Sequence, residues 1–270
     1  MYIDVKIQED ICFLWLNKPG TNSLSQELLD ELYDVICWAS KQNTVKVIVL
    51  TSKLPFGFSS GLDLGSFMDD QQTVFAEKIY NAVYKSFQIT KIIIQSHKIF
   101  IAALSGPVIG SAASIAFSCD FRFAARGTWF WLPDVQYGGL LVDGGIEILK
   151  RLVGNSRSYM LGLTNDRINL DEADKWGLIY KVAERQKLEE AAFSFAKKLC
   201  GFSFNTLSSH KKIINEGLLN DFREEQLREI LSSEDTYKKF LSHMRNKKKC
   251  KISGSPVNKS QAFYQENFSR

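Results

Sequence analysis

Three runs constrain this chain more than any other feature: VKVIVLTS (45–52), KIFIAALSG (98–106) and DFRFAAR (120–126). The first two are almost uninterrupted apolar or β-branched stretches, which is how a strand buried on both faces reads. The third completes the set. Glycine-rich loops follow the first two, LPFGFSSGLDL (54–64) and SGPVIGSAAS (105–114). Strand, glycine-rich loop, helix, strand is the alternation of an α/β fold.

The flanking segments fit that frame. Residues 2–7 and 11–17 alternate apolar and polar around Glu9-Asp10 and read as a hairpin. NSLSQELLDELYDVICWAS (22–40) reads as a helix, with Ser23 and Gln26 at capping-box spacing and Leu29, Leu32, Tyr33 and Ile36 as its apolar stripe. A second helix is expected over 72–95. After Gly154 the pattern turns helical, through NSRSYMLGLT, NLDEADKWG, KLEEAAFSFAKKLC and 206–241. The expected organisation is an α/β core over 1–195 and a C-terminal helical region over 196–270. Within the latter, Lys247 to Lys259 reads as a polar loop and QAFYQENF as one last helical turn or two.

Several function classes drop out on composition. A net charge of +4 does not imply nucleic-acid binding, and the basic cluster RNKKKCK (245–251) reads as a solvated loop. The five cysteines are scattered and never form C-x-x-C, and the three histidines show no metal-ligand spacing. No disulfide scaffold and no metal site is expected, and the usage suits a reducing, cytoplasmic setting. MYIDVKIQED lacks the basic flank and apolar centre of a signal peptide. No apolar run approaches the ~18 residues of a membrane span.

The stretch GPVIGSAASIAFSCD (106–120) carries the chemistry. Its helix opens on glycine, serine and alanine and carries no charge until Asp120. A helix start leaves backbone N–H groups unpaired and slightly positive, and glycine lets a ligand approach that backbone closely. Gly110 stands before Ser111 here, and Gly61 stands before Leu62 in FSSGLDL. Two such turns after neighbouring strands can aim two N–H groups at one oxygen. In an oxyanion hole each donor is worth roughly 100- to 1000-fold in rate.

Taken in order, these segments resemble the crotonase superfamily, the enoyl-CoA hydratase/isomerase family. NSLSQELLDEL is similar to its first helix and FSSGLDL to its F-x-[AS]-G-x-D-[LI] loop. SHKIFIAALSGPVIGSAASIAFSCD is similar to its K-P-x-I-A-A…G-x-x-x-G-G-G…C-D segment, and LGLTNDRINLDEADKWGLI to its L-T-G…E-A-x-x-x-G-L segment. The combination is specific, and it covers most of the chain. The resemblance implies a spiral of ββα turns and binding of an acyl-CoA or acyl-carrier thioester. It further implies a homotrimer or dimer of trimers held by the C-terminal helices. Coenzyme A enters as part of the substrate, and no other cofactor is implied. Carried over, Leu62 and Ser111 donate the two oxyanion N–H groups, and Ser60, Gly61, Gly110 and Ser114 line the thioester. Ser111 departs from the family's usual glycine.

The acids depart further. The family's hydratases usually carry an acid where this chain has Ser114, which cannot serve as a general base near neutral pH without a partner. Ser114 otherwise reads as a small helix residue. The family's second acid falls on Asp134, in FWLPDVQYGG, after Pro133. Its surroundings, Trp129, Phe130, Trp131 and Tyr137, would raise a carboxyl pKa; alternatively the aromatics are core and Asp134 caps a turn. Asp143, in LLVDGGIEILKRLVG, is the third candidate, because isomerase-type members often place an acid in this loop, one residue earlier. It equally suits the N-cap of a helix beginning near Gly144. Asp63 and Asp120 read as structural turn residues. The expected function is chemistry on an acyl thioester through an enolate, with double-bond isomerisation ahead of hydration because one acid survives. The alternatives are a decarboxylase or dehydratase on CoA or carrier-protein thioesters, and a non-catalytic binding or assembly subunit.

Overall fold

The computed structural model describes residues 1–219 and 221–252, with side chains as far as residue 244. The chain opens with the hairpin β1 (Ile3–Gln8) and β2 (Ile11–Leu16), turning at Glu9 with φ +56°. Helix α1 (Gln26–Lys41), strand β3 (Val47–Ser52), the short α2 (Leu64–Phe67) and the long α3 (Gln72–Gln95) follow. Next come β4 (Ile99–Leu104), β5 (Pro107–Ile109), α4 (Ser111–Ser118), β6 (Phe121–Ala125) and β7 (Trp129–Trp131). A 3-10 turn, Asp134–Tyr137, leads into α5 (Gly145–Leu163), which bends at Gly154. The chain ends with β8 (Arg167–Asn169), α6 (Leu170–Lys175), β9 (Lys181–Ala183), α7 (Leu188–Cys200), α8 (Phe204–Asn215), α9 (Glu224–Ser232) and α10 (Glu234–Ile252).

The strands form two sheets. Six lie in the order β1-β2-β3-β4-β6-β9, antiparallel at the opening hairpin and parallel from β2 onward, and three lie in the order β5-β7-β8. Successive turns of the chain place one strand in each sheet and then a helix: β4, β5, α4, then β6, β7, α5. That repetition is the spiral of ββα turns. The strands read from the three runs form as expected. The three-residue strands β5, β7, β8 and β9 had no counterpart in the sequence reading, because three residues carry too little periodicity to register.

Buried strands need cover on both faces, and alternation divides their side chains between the two. Ile99, Ile101 and Ala103 of β4 pack with Val47 and Val49 of β3 against Leu188, Ala192, Ala196 and Leu199 of α7. Phe100, Ala102 and Leu104 face the larger core with α1, α3 and α4. Helix α7 therefore runs across residue 196 while covering the sheet.

Two local expectations are corrected. Helix α1 starts at Gln26 with Ser25 as its N-cap, so the Ser23–Gln26 capping box does not form. Ser23 Oγ donates to Asp63 Oδ2 at 2.9 Å instead. The backbone of α10 is helical through Ile252, across the whole of the basic cluster expected as a loop; the rest of the loop expected to Lys259 and the stretch expected as a last helical turn lie outside the described residues. Among the described residues no helix is long and apolar enough to cross a membrane.

One buried charge ties the C-terminal helices to the sheet. Lys211 of α8 is 4% exposed, and its Nζ donates to Ile93 O, Lys98 O and Asp120 Oδ2, each at 2.8 Å. The Asp120 carboxyl also accepts from Phe100 N at 2.7 Å. Burial raises the Asp120 pKa, and the ammonium opposes this. Removing one partner of such a pair strands the other. Lys211→Met is expected to destabilise the fold by about 3 kcal/mol. The loss is larger at high than at low pH, because the raised pKa of Asp120 lets the stranded carboxyl take up a proton and shed its charge as pH falls; urea unfolding at pH 8 and pH 5 checks this.

Candidate active site

The two glycine turns lie against each other. Ser59 pairs with Val108 in parallel: Ser59 N donates to Pro107 O at 3.2 Å and Ile109 N to Ser59 O at 3.3 Å. The segments leading to Leu62 and Ser111 thus run side by side in one direction. Gly61 has φ +77°, and a Cβ there would stand 2.6 Å from Ile109 O. Gly110, at φ +54°, turns the chain from β5 into α4. Leu62 N–H and Ser111 N–H, the first after each glycine, donate to no acceptor among the described residues. Two adjacent backbone donors left free can hold an oxygen that gains charge.

The first turn is held from outside. Asn22, itself at φ +49°, donates from Nδ2 to Phe58 O at 2.9 Å, and its carbonyl accepts from Ser59 Oγ at 2.7 Å. The Ser60 and Thr21 hydroxyls are 2.8 Å apart. Asp63 accepts from Lys18 Nζ at 3.0 Å and from Ser23 Oγ at 2.9 Å. Asp63 is therefore an anchor of the loop, as expected, and its pKa is lowered because Lys18 and Ser23 outweigh burial.

Every residue of α4 is buried, so any polar group on it must look to its neighbours. Ser114 Oγ is buried without a hydrogen-bond partner and presses on Gly145, where a Cβ would collide with it. Asp143 stands beside it. This residue is 1% exposed; its Oδ2 accepts from Ser86 Oγ at 3.1 Å and its Oδ1 from Gly145 N at 3.3 Å. Burial raises the Asp143 pKa, and the Ser86 hydroxyl and the Gly145 N–H act against it. The N-cap of α5 is Gly144 rather than Asp143, yet Asp143 still reaches the first N–H of that helix.

Asp134 opens the 3-10 turn. Its Oδ2 is buried with no partner and lies 4.0 Å from where a Cβ on Gly110 would stand. Burial, and then the charge of Asp143, push its pKa up to about 7. The two carboxyls therefore sense each other across the α4 turn. The expected aromatic setting is divided. Phe130 stacks on Phe117 in the core, while Trp129 and Trp131 face the Arg167 guanidinium at 5.1 and 4.4 Å. Cover on the Asp134 side comes from Tyr137 and from α10. Phe240 and His243 of that helix lie 6.3 and 4.3 Å from the Tyr137 ring, centroid to centroid. Burial, and then Asp134, push the Tyr137 hydroxyl to about 12.

The fold thus brings Gly61, Leu62, Gly110, Ser111, Ser114, Asp134 and Asp143 to one place. Ser60 is nearby with its hydroxyl against Thr21. Sequence reasoning missed Ser86 and Thr90, which come from α3. The available signal was two hydroxyls four residues apart on the stripe that otherwise buries Ile79, Ala82, Val83, Ile89 and Ile93. Among the described residues no cluster of His, Cys, Asp and Glu could hold a metal ion.

Known proteins share this arrangement of chain. A family model described as enoyl-CoA hydratase/isomerase matches residues 6–262. A crotonyl-CoA hydratase of Syntrophomonas wolfei is 29% identical over 215 residues, which is 79% of this chain and 81% of that one. A trans-2-decenoyl-[acyl-carrier-protein] isomerase of Streptococcus mutans is 25% identical over 257 residues, 92% of this chain and 96% of the relative. Among solved structures, an enoyl-CoA hydratase from Bacillus halodurans superimposes with a TM-score of 0.80 at 23% identity, over 90% of this chain and all of that one. The spiral fold, the paired glycine turns and a family match over nearly the whole chain lead to one conclusion: the chain belongs to the enoyl-CoA hydratase/isomerase family of the crotonase superfamily.

Proposed function

We propose that the protein moves a double bond along an acyl thioester by 1,3-proton transfer. The thioester oxygen sits on Leu62 N–H and Ser111 N–H. A carboxylate takes a proton from the α-carbon of a 3-enoyl thioester, and the electron pair shifts onto the oxygen as an enolate. A proton is then delivered to the γ-carbon, the double bond closes between α and β, and the oxygen returns to a carbonyl. No water is consumed. The observation that carries the reading is the buried pair Asp134 and Asp143 beside the Gly110 turn. One of them carries a pKa near neutrality and is fit to exchange protons there. Helix α4 adds only hydroxyls. The acid that hydratases of the resemblance carry at position 114 to hold a water is therefore replaced by serine.

Hydration is the second reading, favoured by one observation: Asp143 supplies a second buried carboxyl close to Ser114, so a two-acid site is not excluded by the serine. The thioester donor is coenzyme A or a carrier protein, the latter suggested by the name of the Streptococcus mutans relative. Trimeric assembly and a cytoplasmic location belong to the same reading, and light scattering that gives a monomer at micromolar concentration would remove the first of them.

The test runs two reactions side by side: deuterium exchange at the α- and γ-carbons of a 3-enoyl-CoA, and water addition to a 2-enoyl-CoA. Exchange at both carbons with slow hydration is expected. Hydration on the order of 10 s⁻¹ or faster without γ-exchange overturns isomerisation in favour of the second reading.

A further inference from the structure

The contacts of α3 go beyond this assignment of acids. Ser86 and Thr90 lie one turn apart on that helix, both fully buried. Residues at this spacing share a helix face. Ser86 Oγ donates to Asp143 Oδ2 at 3.1 Å, and Thr90 Oγ1 donates to the Asp143 backbone carbonyl at 2.6 Å. One helix therefore grips one aspartate twice, at its carboxyl and at its backbone. Gly145 N–H approaches the other carboxyl oxygen at 3.3 Å. Asp134 has no such grip, and its Oδ2 meets no donor. The two acids thus sit in opposite surroundings a short distance apart.

Resting on the enolate reading above, we propose that Ser86 is a positioning residue that fixes Asp143 as the proton-accepting carboxylate and leaves Asp134 to carry the proton of the pair. A carboxylate accepts hydrogen bonds and a neutral acid must donate one. The Ser86 hydroxyl and the Gly145 N–H suit the charged form of Asp143. A bare, buried oxygen suits the neutral form of Asp134. The titratable group facing Asp143 is Asp134, from the 3-10 turn. Its other polar neighbours are the hydroxyls of Ser86 on α3 and of Ser111 and Ser114 on α4, and the Gly145 N–H on α5. The charge of Asp143 raises the Asp134 pKa, so both carboxyls bear on a pH profile.

The experiment is the pH dependence of kcat and KM for α-proton exchange on a 3-enoyl-CoA. It compares the wild type with Ser86→Ala, Ser86→Thr, Thr90→Val and Asp143→Asn. Taking a donor from Asp143 favours its protonated form, so the base becomes available at higher pH. Ser86→Ala is expected to move the acidic limb of the kcat profile up by about one pH unit. It should lower kcat roughly tenfold on that limb, with KM little changed. Ser86→Thr restores the limb because the hydroxyl returns. Thr90→Val weakens the hold on the backbone but leaves the carboxyl's donor, so its limb stays in place. A wild-type profile for Ser86→Ala overturns the proposal while Asp143→Asn is inactive. An equal limb shift in Thr90→Val overturns it as well, since both would then act through general loosening. Full activity in Asp143→Asn overturns it by removing the base it assigns. Absence of exchange in the wild type itself marks failure of the isomerase reading instead.

Discussion

Replacing Asp134 with asparagine lowers α-to-γ proton transfer by at least about 100-fold and leaves thioester affinity nearly unchanged. Asparagine keeps the size of the side chain but cannot carry the proton, and the oxygen-binding N–H groups belong to Leu62 and Ser111. In kinetic terms kcat and kcat/KM fall together while KM stays, the mark of a group needed in the transition state. A fall confined to KM would count against a catalytic Asp134. The same substitution has an opposite effect on stability. The Asp134 pKa is about 7 in the fold, against 3.8 for an ordinary aspartate. Between these values the folded protein holds a proton that the unfolded chain has released. Stability therefore declines as pH rises from about 4 to about 7 and stays reduced above that. Asparagine removes this term. At pH 8 the variant is expected to gain on the order of 4 kcal/mol, less whatever its unpartnered amide costs, and at pH 4 the gain nearly vanishes. Calorimetric melting at both pH values checks the sign.

Gly61→Ala is expected to lower kcat/KM by roughly 100- to 1000-fold. The φ of +77° disfavours any L side chain, and the new methyl would stand 2.6 Å from Ile109 O. That carbonyl is backbone and cannot swing away as a side chain would, so the two turns must separate. Leu62 N–H and Ser111 N–H then no longer address one oxygen. The check compares kcat/KM for exchange with affinity for a saturated acyl-CoA. Wild-type values in both would show that the contact between the turns is not needed. At Gly110 the strain is of φ alone, with the nearest atom, Asp134 Oδ2, 4.0 Å from the added Cβ.

The readable part of this protein was its long elements and its glycines. Continuous apolar runs announced β3 and β4, and the helical region expected over about 72–95 is α3. Gly61 and Gly110 were legible because positive φ leaves a mark in residue type. The second sheet was not, since β5, β7 and β8 are three residues each and are defined by pairing across long separations. The site was half legible for the same reason. Asp134 and Asp143 stood out as acids in loops, but their mutual approach depends on how the 3-10 turn and α5 pack on α4. Ser86 could be marked only as one of two hydroxyls on an apolar helix stripe, which says nothing about the carboxyl 57 residues later that it meets. Ser23 shows the converse: its spacing to Gln26 satisfied a local motif, and a more distant carboxylate, Asp63, took its hydroxyl.

The Lys211 contact also sets an order of events in the life of the chain. Asp120 and Lys211 are 91 residues apart. At the pace of a ribosome, about 5–20 residues per second, the cation emerges on the order of ten seconds after the carboxylate it neutralises. During that interval β3, β4 and β6 are all available to pair. Yet Asp120 and the carbonyls of Ile93 and Lys98 still lack the ammonium that satisfies them in the finished fold. Water must occupy that corner of the nascent sheet until α8 arrives. A truncated product ending before residue 204 would keep it wet for good, whatever the state of the glycine turns on the other side.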